Sequence, residues 1–254
     1  MNLTKIRDIL DRKVIEYNNE KFIVKDPVSV PHRFSKKQDI EIAAFFAATF
    51  AWGNRTTIIN KTNELIALMD NSPYDFIINH KETELKRFLH FVHRTFNAHD
   101  VLYFIQFLSF HYQKHYTLES AFIDKKVKTM KGRLMHFHNY FFSLEHLHRT
   151  EKHVSTPAKN SACKRLNMFL RWMVRQDKNG VDFGIWNKIK MNELICPLDI
   201  HVCKVAFRMG LLADAKSNWN NAELLTNVFK EFDPVDPAKY DFALFALGAE
   251  ERFR

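Results

Sequence analysis

The sequence is poor in the residues that interrupt regular structure. Its 254 residues include 6 glycines and 7 prolines, and alternating runs of valine, isoleucine and threonine are scarce. Glycine and proline mark turns, and such alternation marks strands, so the composition predicts long helices rather than sheets. We expect an all-α protein whose chain is long enough to bury a full core.

Cysteines and long apolar runs are scarce as well. The 3 cysteines are too few to crosslink a chain of this length, and they are one short of a four-cysteine zinc or iron–sulfur site. No run approaches the roughly 18 apolar residues of a membrane span, and residues 1–5 lack the apolar core of a secretion signal. The sequence therefore predicts a cytoplasmic protein with no metal and no other cofactor.

Basic residues outnumber acidic ones. The 38 Lys and Arg against 29 Asp and Glu give a formal net charge of +9. Such a surface attracts polyanions, of which nucleic acid is the commonest. Charge alone leaves an anionic membrane surface as the alternative. We expect a monomer that binds DNA and no membrane.

One segment joins a proline, an aspartate and an apolar helix pattern. In Pro197-Leu-Asp-Ile-His201 the aspartate, Asp199, precedes apolar residues at helical spacing. Its position alone favours a helix N-cap, because Asp is a common capping residue. A carboxylate there could also stabilise the positive charge that develops when a glycosidic bond breaks.

A second segment predicts a helix with a lysine in its first turn. Residues 161–176 repeat apolar side chains at helical spacing and place Lys164 near the start. The helix dipole disfavours a cation there and so favours the neutral amine, the nucleophilic form of a lysine. We assign Lys159, Arg165 and Arg171 with it to a basic DNA-binding surface.

These two segments resemble the helix-hairpin-helix DNA glycosylases, the superfamily of endonuclease III. The resemblance lies in a lysine early in a helix that follows a hairpin-like loop, and in a downstream Pro-x-Asp-x-His-Val. It implies a two-lobed all-α fold with a cleft between the lobes, Lys164 as the nucleophile and Asp199 as the essential carboxylate. Their separation, 199 − 164 = 35 residues, is longer than in endonuclease III and is similar to that in the archaeal 8-oxoguanine glycosylases.

The chain departs from that superfamily in two places. Residues 153–160 replace its glycine-rich hairpin, and its C-terminal cysteine cluster is absent. Lys159 and the amides at the start of the next helix are the alternative phosphate contacts. Over most of its length the chain is similar to an uncharacterised bacterial family of unknown function. The segments that carry this similarity are residues 91–96 with Asp100, 161–175, 197–201 and 233–245.

Further candidate residues come from the glycosylase resemblance and from side-chain chemistry. The resemblance implies a base pocket at the end of an apolar helix over residues 39–52, and its candidate residues are Trp52, Asn54 and Arg55. Arg94 lies between aromatic residues, where it could stack on a base, clamp a phosphate or pair with a structural carboxylate. His201 and Asp241 are predicted to support the catalytic pair.

The predicted lobes are residues 35–176, which carry Lys164, and residues 1–34 plus 177–254, which carry Asp199. The predicted function is DNA repair by a DNA glycosylase and AP lyase that acts on a flipped, damaged base in duplex DNA. The alternative is a binding module for nucleic acid or protein that has the fold without the chemistry.

Overall fold

The computed structural model of the chain describes residues 2–250, whose regular structure is helical apart from one two-stranded hairpin. This confirms the predicted all-α class. The helices are α1 (Leu3–Tyr17), α2 (Glu20–Ile23), α3 (Lys37–Thr49), α4 (Arg55–Leu68), α5 (Pro73–Asn79), α6 (Ala98–Tyr112), α7 (Met130–Phe141), α8 (Lys164–Val174), α9 (Ile200–Arg208), α10 (Trp219–Phe232) and α11 (Tyr240–Phe245), with a π-helical turn over Ala246–Glu250. The hairpin pairs β1 (Val92–His93) with β2 (Phe96–Asn97) in antiparallel register.

The chain divides into two compact units. The first comprises Met1–Val24, Thr129–Lys131 and Thr156–Arg254, and the second comprises Lys25–Lys128 and Gly132–Ser155. The predicted lobes divide near residue 176, whereas the last segment of the first unit begins at Thr156. Lys164 and Asp199 therefore lie in the same unit. In the described part of the chain, no helix is both long and apolar enough to cross a bilayer.

Local sequence explains where several helices begin. The side chains of Asn2, Asn54 and Asn218 cap α1, α4 and α10, because each accepts a hydrogen bond from a backbone amide of the first turn. The segment between α1 and α3 contains the short helix α2 and two 3-10 turns that begin at prolines. Proline suits such a first position because the amide it lacks would have no partner there.

Aromatic side chains fill the core of the second unit around α3. Eleven of the 13 residues of α3 are buried, as its apolar sequence predicts. The rings of Phe45 and Phe46 lie 5.5 and 5.8 Å from that of Phe104 in α6. Phe122 and Phe137 stack at 4.0 Å. Each such pair contributes about 0.5–1.5 kcal/mol beyond the burial of its area, which is why phenylalanine dominates this core.

In the first unit, α1 packs against α11. The Oη atom of Tyr240 donates a hydrogen bond to Oδ1 of Asp11 at 2.9 Å. The apolar face of α1 is buried, with Ile6, Leu10 and Val14 at its centre. The N-terminal helix is thus docked on the C-terminal part of the chain.

A buried ion network ties the C-terminal half of α8 to the segments that follow it. The side chain of Arg175 is 2% exposed, and its guanidinium contacts Asp177 at 2.8 Å, Asp182 at 3.0 Å and Asp236 at 2.9 Å. Asp177 in turn accepts a hydrogen bond from Asn18 at 2.7 Å. Charges buried this deeply persist only where partners compensate their lost hydration.

Candidate functional site

Lys164 is the first residue of α8. The preceding Cys163 has φ = 48°, a left-handed conformation that few residues other than glycine adopt, and the helix begins at Lys164 rather than at Ser161. The lysine is half-buried. Within residues 2–250 its amine has no hydrogen bond or ion pair. The structure thus leaves a partly enclosed amine available for another partner.

Asp199 is the N-cap of α9, as its position predicts. Its Oδ1 accepts hydrogen bonds from the backbone amides of His201 at 2.8 Å and Val202 at 2.9 Å. No donor in the described range reaches Oδ2. One oxygen therefore fixes the carboxylate, and the other is left for a further partner.

Asp241, on α11, interacts electrostatically with both Lys164 and Asp199. Its carboxyl is buried and pairs with Arg171 of α8. Burial raises the pKa of Asp241 to about 6. The positive charges of Arg171 and Lys164 oppose this rise in pKa, whereas the negative charges of Asp199 and Asp182 add to it. Lys164 and Asp199 therefore act electrostatically on one buried carboxyl in the first unit.

Helix geometry supports the same arrangement. Lys164 and Arg171 are seven residues apart on α8, so they lie on one face of the helix with a rise of about 10 Å between them. Arg171 contacts Asp241 directly, and Lys164 lies two turns closer to the start of the helix. The face that carries Lys164 therefore continues into the ion pair with Asp241.

Arg171 is a structural residue, which corrects its assignment to a DNA-binding surface. It is 3% exposed, its guanidinium pairs with Asp182 at 3.3 Å and with Asp241, and it lies 4.2 Å from the ring centre of Phe242. Its carboxylate partners lie outside α8, so the apolar pattern of this helix alone assigns Arg171 to the polar, solvent-facing side. A guanidinium enclosed in this way is not accessible to a DNA phosphate.

The other predicted residues of this unit lie nearer the surface. Lys159 is exposed at the end of the 3-10 turn Pro157–Lys159, and Arg165 is half-buried beside Lys164. Burial lowers the pKa of Arg165 to about 10. His201 is exposed on the first turn of α9, and it contacts Asp199 through its backbone amide.

In the second unit the structure brings Trp52 and Arg94 together. Arg94 lies at the tip of the β1–β2 hairpin with φ = 56°, and a methyl group at Gly53 would collide with its guanidinium. The ring of Trp52 stacks on His153 at 6.2 Å and meets His93 edge-on at 5.0 Å. These residues are distant in sequence and form one cluster, in which the two histidines are buried and Trp52 and Arg94 keep exposed surface.

The neighbours of Trp52 in the predicted base pocket begin α4. Asn54 caps the helix by accepting a hydrogen bond from the amide of Thr57 at 3.1 Å, and Arg55 is its first residue. Asn54 is exposed and Arg55 is half-buried. The capping role accounts for Asn54 without a ligand.

Sequence reasoning missed two residues that hold the buried Asp100. Arg149 donates a hydrogen bond to this carboxylate at 2.7 Å, and His153 lies 3.3 Å from it. Although burial raises the pKa of Asp100, the contact with His153 and hydrogen bonds from Asn97, Thr150 and Arg149 hold it well below its usual range. The partners from 149 to 153 lie about 50 residues further along the chain, where no local pattern could connect them with Asp100.

A family profile matches residues 26–250, which is most of the chain. The protein belongs to the DUF2400 family, described as proteins of unknown function. The predicted similarity to an uncharacterised family is thus confirmed. No curated protein and no solved structure matches the chain, and the resemblance to DNA glycosylases stays a prediction.

The DUF2400 protein also has a groove along α6 in its second unit. The groove has a volume of about 560 Å³ and mixes polar and apolar side chains, among them His80, His99, Tyr103, Glu145 and His146. None of the predicted site residues lines it. Among residues 2–250, no group of three or more His, Cys, Asp or Glu side chains is arranged to hold a metal ion.

Proposed function

We propose that this DUF2400 protein binds DNA and excises a damaged base, with Lys164 as the nucleophile and Asp199 as the required carboxylate. One observation carries the proposal: an amine without an ion pair and a carboxylate with one unoccupied oxygen both act on the buried Asp241. A buried carboxyl with a raised pKa beside other ionisable groups is typical of catalytic sites. The resemblance of the two segments to DNA glycosylases supports the choice of reaction.

The chemistry assigns a separate task to each group. The damaged nucleotide leaves the base stack, and the neutral amine of Lys164 attacks the anomeric carbon of its sugar. A carbon–nitrogen bond to the lysine forms as the glycosidic bond breaks, and the base leaves with the bonding electrons. Asp199 stabilises the positive charge on the sugar and accepts a proton from the lysine nitrogen. The nitrogen then forms a double bond to the anomeric carbon as the bond from that carbon to the ring oxygen breaks, and the resulting open-chain imine permits cleavage of the strand.

Asp241 has a supporting part in this proposal. Ionised Asp241 stabilises the charged ammonium form of Lys164, whereas the protonated carboxyl does not. Because the pKa of Asp241 is raised to about 6, its charge changes near neutral pH. The electrostatic environment of Lys164 therefore changes over this pH range.

Surface cations supply the proposed DNA contacts. Lys159 and Arg165 lie beside Lys164 in sequence and keep accessible surface. Together with the net charge of +9, they support a polyanionic partner whose binding weakens steeply with salt. That Trp52, Asn54 and Arg55 line a base pocket stays a prediction from the sequence. We place the protein in the cytoplasm as a monomer.

Borohydride trapping tests the mechanism, because it reduces the imine to a stable protein–DNA adduct. Duplexes with an abasic site, uracil or 8-oxoguanine are the substrates, and Lys164→Ala and Asp199→Asn are the test variants. Lys204→Ala is the matched control, since Lys204 is an exposed lysine of the same unit. We expect adducts with wild type and Lys204→Ala, none with Lys164→Ala, and a rate about 100-fold or more lower with Asp199→Asn.

Two results would contradict the mechanism. An adduct that persists in Lys164→Ala would remove this lysine as the nucleophile. DNA binding without an adduct or base release on any lesion would favour the alternative, a binding module on the same fold.

A further inference from the structure

Arg94 is an exposed arginine without a carboxylate partner. Within the described residues its guanidinium makes no ion pair and no hydrogen bond. Arg87, another arginine of the same unit, shows the usual arrangement, with Asp70 and Glu84 each at 2.8 Å. Arg94 therefore presents an unneutralised positive charge where Arg87 does not.

The position of Arg94 is fixed by its surroundings. Its left-handed φ of 56° is the conformation that a two-residue hairpin turn requires at its first position. The guanidinium lies directly on Gly53, whose own φ of 103° and missing side chain make room for it. The hairpin turn thus fixes the backbone of Arg94, and Gly53 leaves room for its guanidinium.

The neighbourhood of this guanidinium is positive. Burial lowers the pKa of His93, and the charges of Arg94 and Lys61 lower it further, so this histidine adds no charge near neutral pH. The carboxylate of Asp100 already pairs with Arg149 and His153. An anion at Arg94 would meet no competing acid from these side chains.

Trp52 provides an aromatic surface beside Arg94. It is half-buried, whereas Trp172, Trp186 and Trp219 are 0%, 2% and 0% exposed. Its ring rests on His153 and His93, which fix its orientation. An unpaired guanidinium at Gly53 and the aromatic ring of the preceding residue match the two halves of a nucleotide, because phosphate pairs with arginine and bases stack on aromatic rings.

We propose that Arg94 and Trp52 form a nucleotide-binding site in which Arg94 holds a phosphate and Trp52 contacts the base. This inference extends the proposed function by assigning phosphate recognition to the second unit, and it does not require chemistry at Lys164. A DNA strand and a free nucleotide both present the required groups.

Trp52 itself reports on binding, because iodide quenches only tryptophans with accessible surface. The probes are a 12-nucleotide single-stranded DNA and adenosine monophosphate. Each is titrated into the protein in the presence of iodide, and the decrease in quenching of Trp52 fluorescence measures its binding. The test variants are Arg94→Ala, which removes the guanidinium, and Gly53→Ala, which displaces it without changing the charge. Arg87→Ala is the matched control, since it removes a guanidinium that is already paired. Thermal melting checks that each variant is folded.

We expect affinity to fall about tenfold or more in Arg94→Ala, to fall in folded Gly53→Ala, and to change less than twofold in Arg87→Ala. For the oligonucleotide, the slope of affinity against salt should fall by about 1 in Arg94→Ala. Binding of the mononucleotide alone would support the site and contradict DNA binding. The inference is overturned if neither probe protects Trp52, or if Arg94→Ala binds as Arg87→Ala does.

Discussion

The buried carboxyl of Asp241 should make the stability of the protein depend on pH in a way that one substitution removes. Its pKa is raised from 3.8 to about 6 in the folded chain, chiefly by burial. The folded state therefore binds a proton more tightly than the unfolded state does. The stability that this proton contributes is complete below pH 3.8 and is lost as the pH rises through about 6. Asp241→Asn cannot ionise and loses this dependence.

The size of the effect follows from the two pKa values. A tenfold change in proton affinity corresponds to about 1.36 kcal/mol, so the interval from 3.8 to about 6 corresponds to about 3 kcal/mol. Loss of the ion pair with Arg171 adds an offset to the free energy of unfolding of the variant. His111, whose pKa burial lowers to about 4, acts in the opposite direction over the same range, but it is present in both proteins and cancels in their difference.

Urea unfolding at a series of pH values measures this difference. We expect the free energy of unfolding of Asp241→Asn, relative to wild type, to rise by about 2–3 kcal/mol between pH 4 and pH 7. Asp214→Asn is the control, because hydrogen bonds led by the backbone amide of Lys216 lower the pKa of Asp214 and leave it ionised above pH 5. A difference for Asp241→Asn that stays constant over this range would refute the reasoning.

Two further predictions concern the helix starts and the ion network. Arg175→Met should destabilise the protein by about 3–5 kcal/mol in urea unfolding, because three carboxylates lose a buried partner; Arg87→Met, at an exposed ion pair, should cost at most about 1 kcal/mol. A small effect of Arg175→Met would show that water reaches this network. Asp199→Asn should keep the stability of wild type, since Asn caps helices as well as Asp does, whereas Asp199→Ala should cost about 1 kcal/mol. Equal stabilities of the Asn and Ala variants would contradict the capping role.

Local patterns predict the helices α3, α8 and α9 and the cap at Asp199. The apolar faces of α1 and α9 and the run in α3 are visible in sequence because helical periodicity is a short-range property. The start of α8 was placed three residues early, because the left-handed backbone of Cys163 has no sequence signal. The β1–β2 hairpin was missed because strands of two residues are too short to alternate.

The candidate sites depend on contacts that sequence spacing does not contain. The partners that bury Arg171 lie 11 and 70 residues away, at Asp182 and Asp241. The same limit applies to the contact between Gly53 and Arg94, because it joins a tight turn to a hairpin tip from another part of the sequence. Sequence supplied the chemically capable residues, and only the fold shows which of them are enclosed and which keep a charge for a ligand.

The central claim is that Lys164 and Asp199 act at one place, and the titration of Asp241 tests it most directly. Carbon-13 NMR of the side-chain carboxyl of Asp241 would give its pKa in wild type, Lys164→Met and Asp199→Asn. The account predicts a pKa near 6 in wild type, a higher pKa in Lys164→Met because an opposing cation is lost, and a lower pKa in Asp199→Asn because a neighbouring negative charge is lost. A pKa that neither substitution moves, or that both move in one direction, would contradict the convergence on which the proposed function rests.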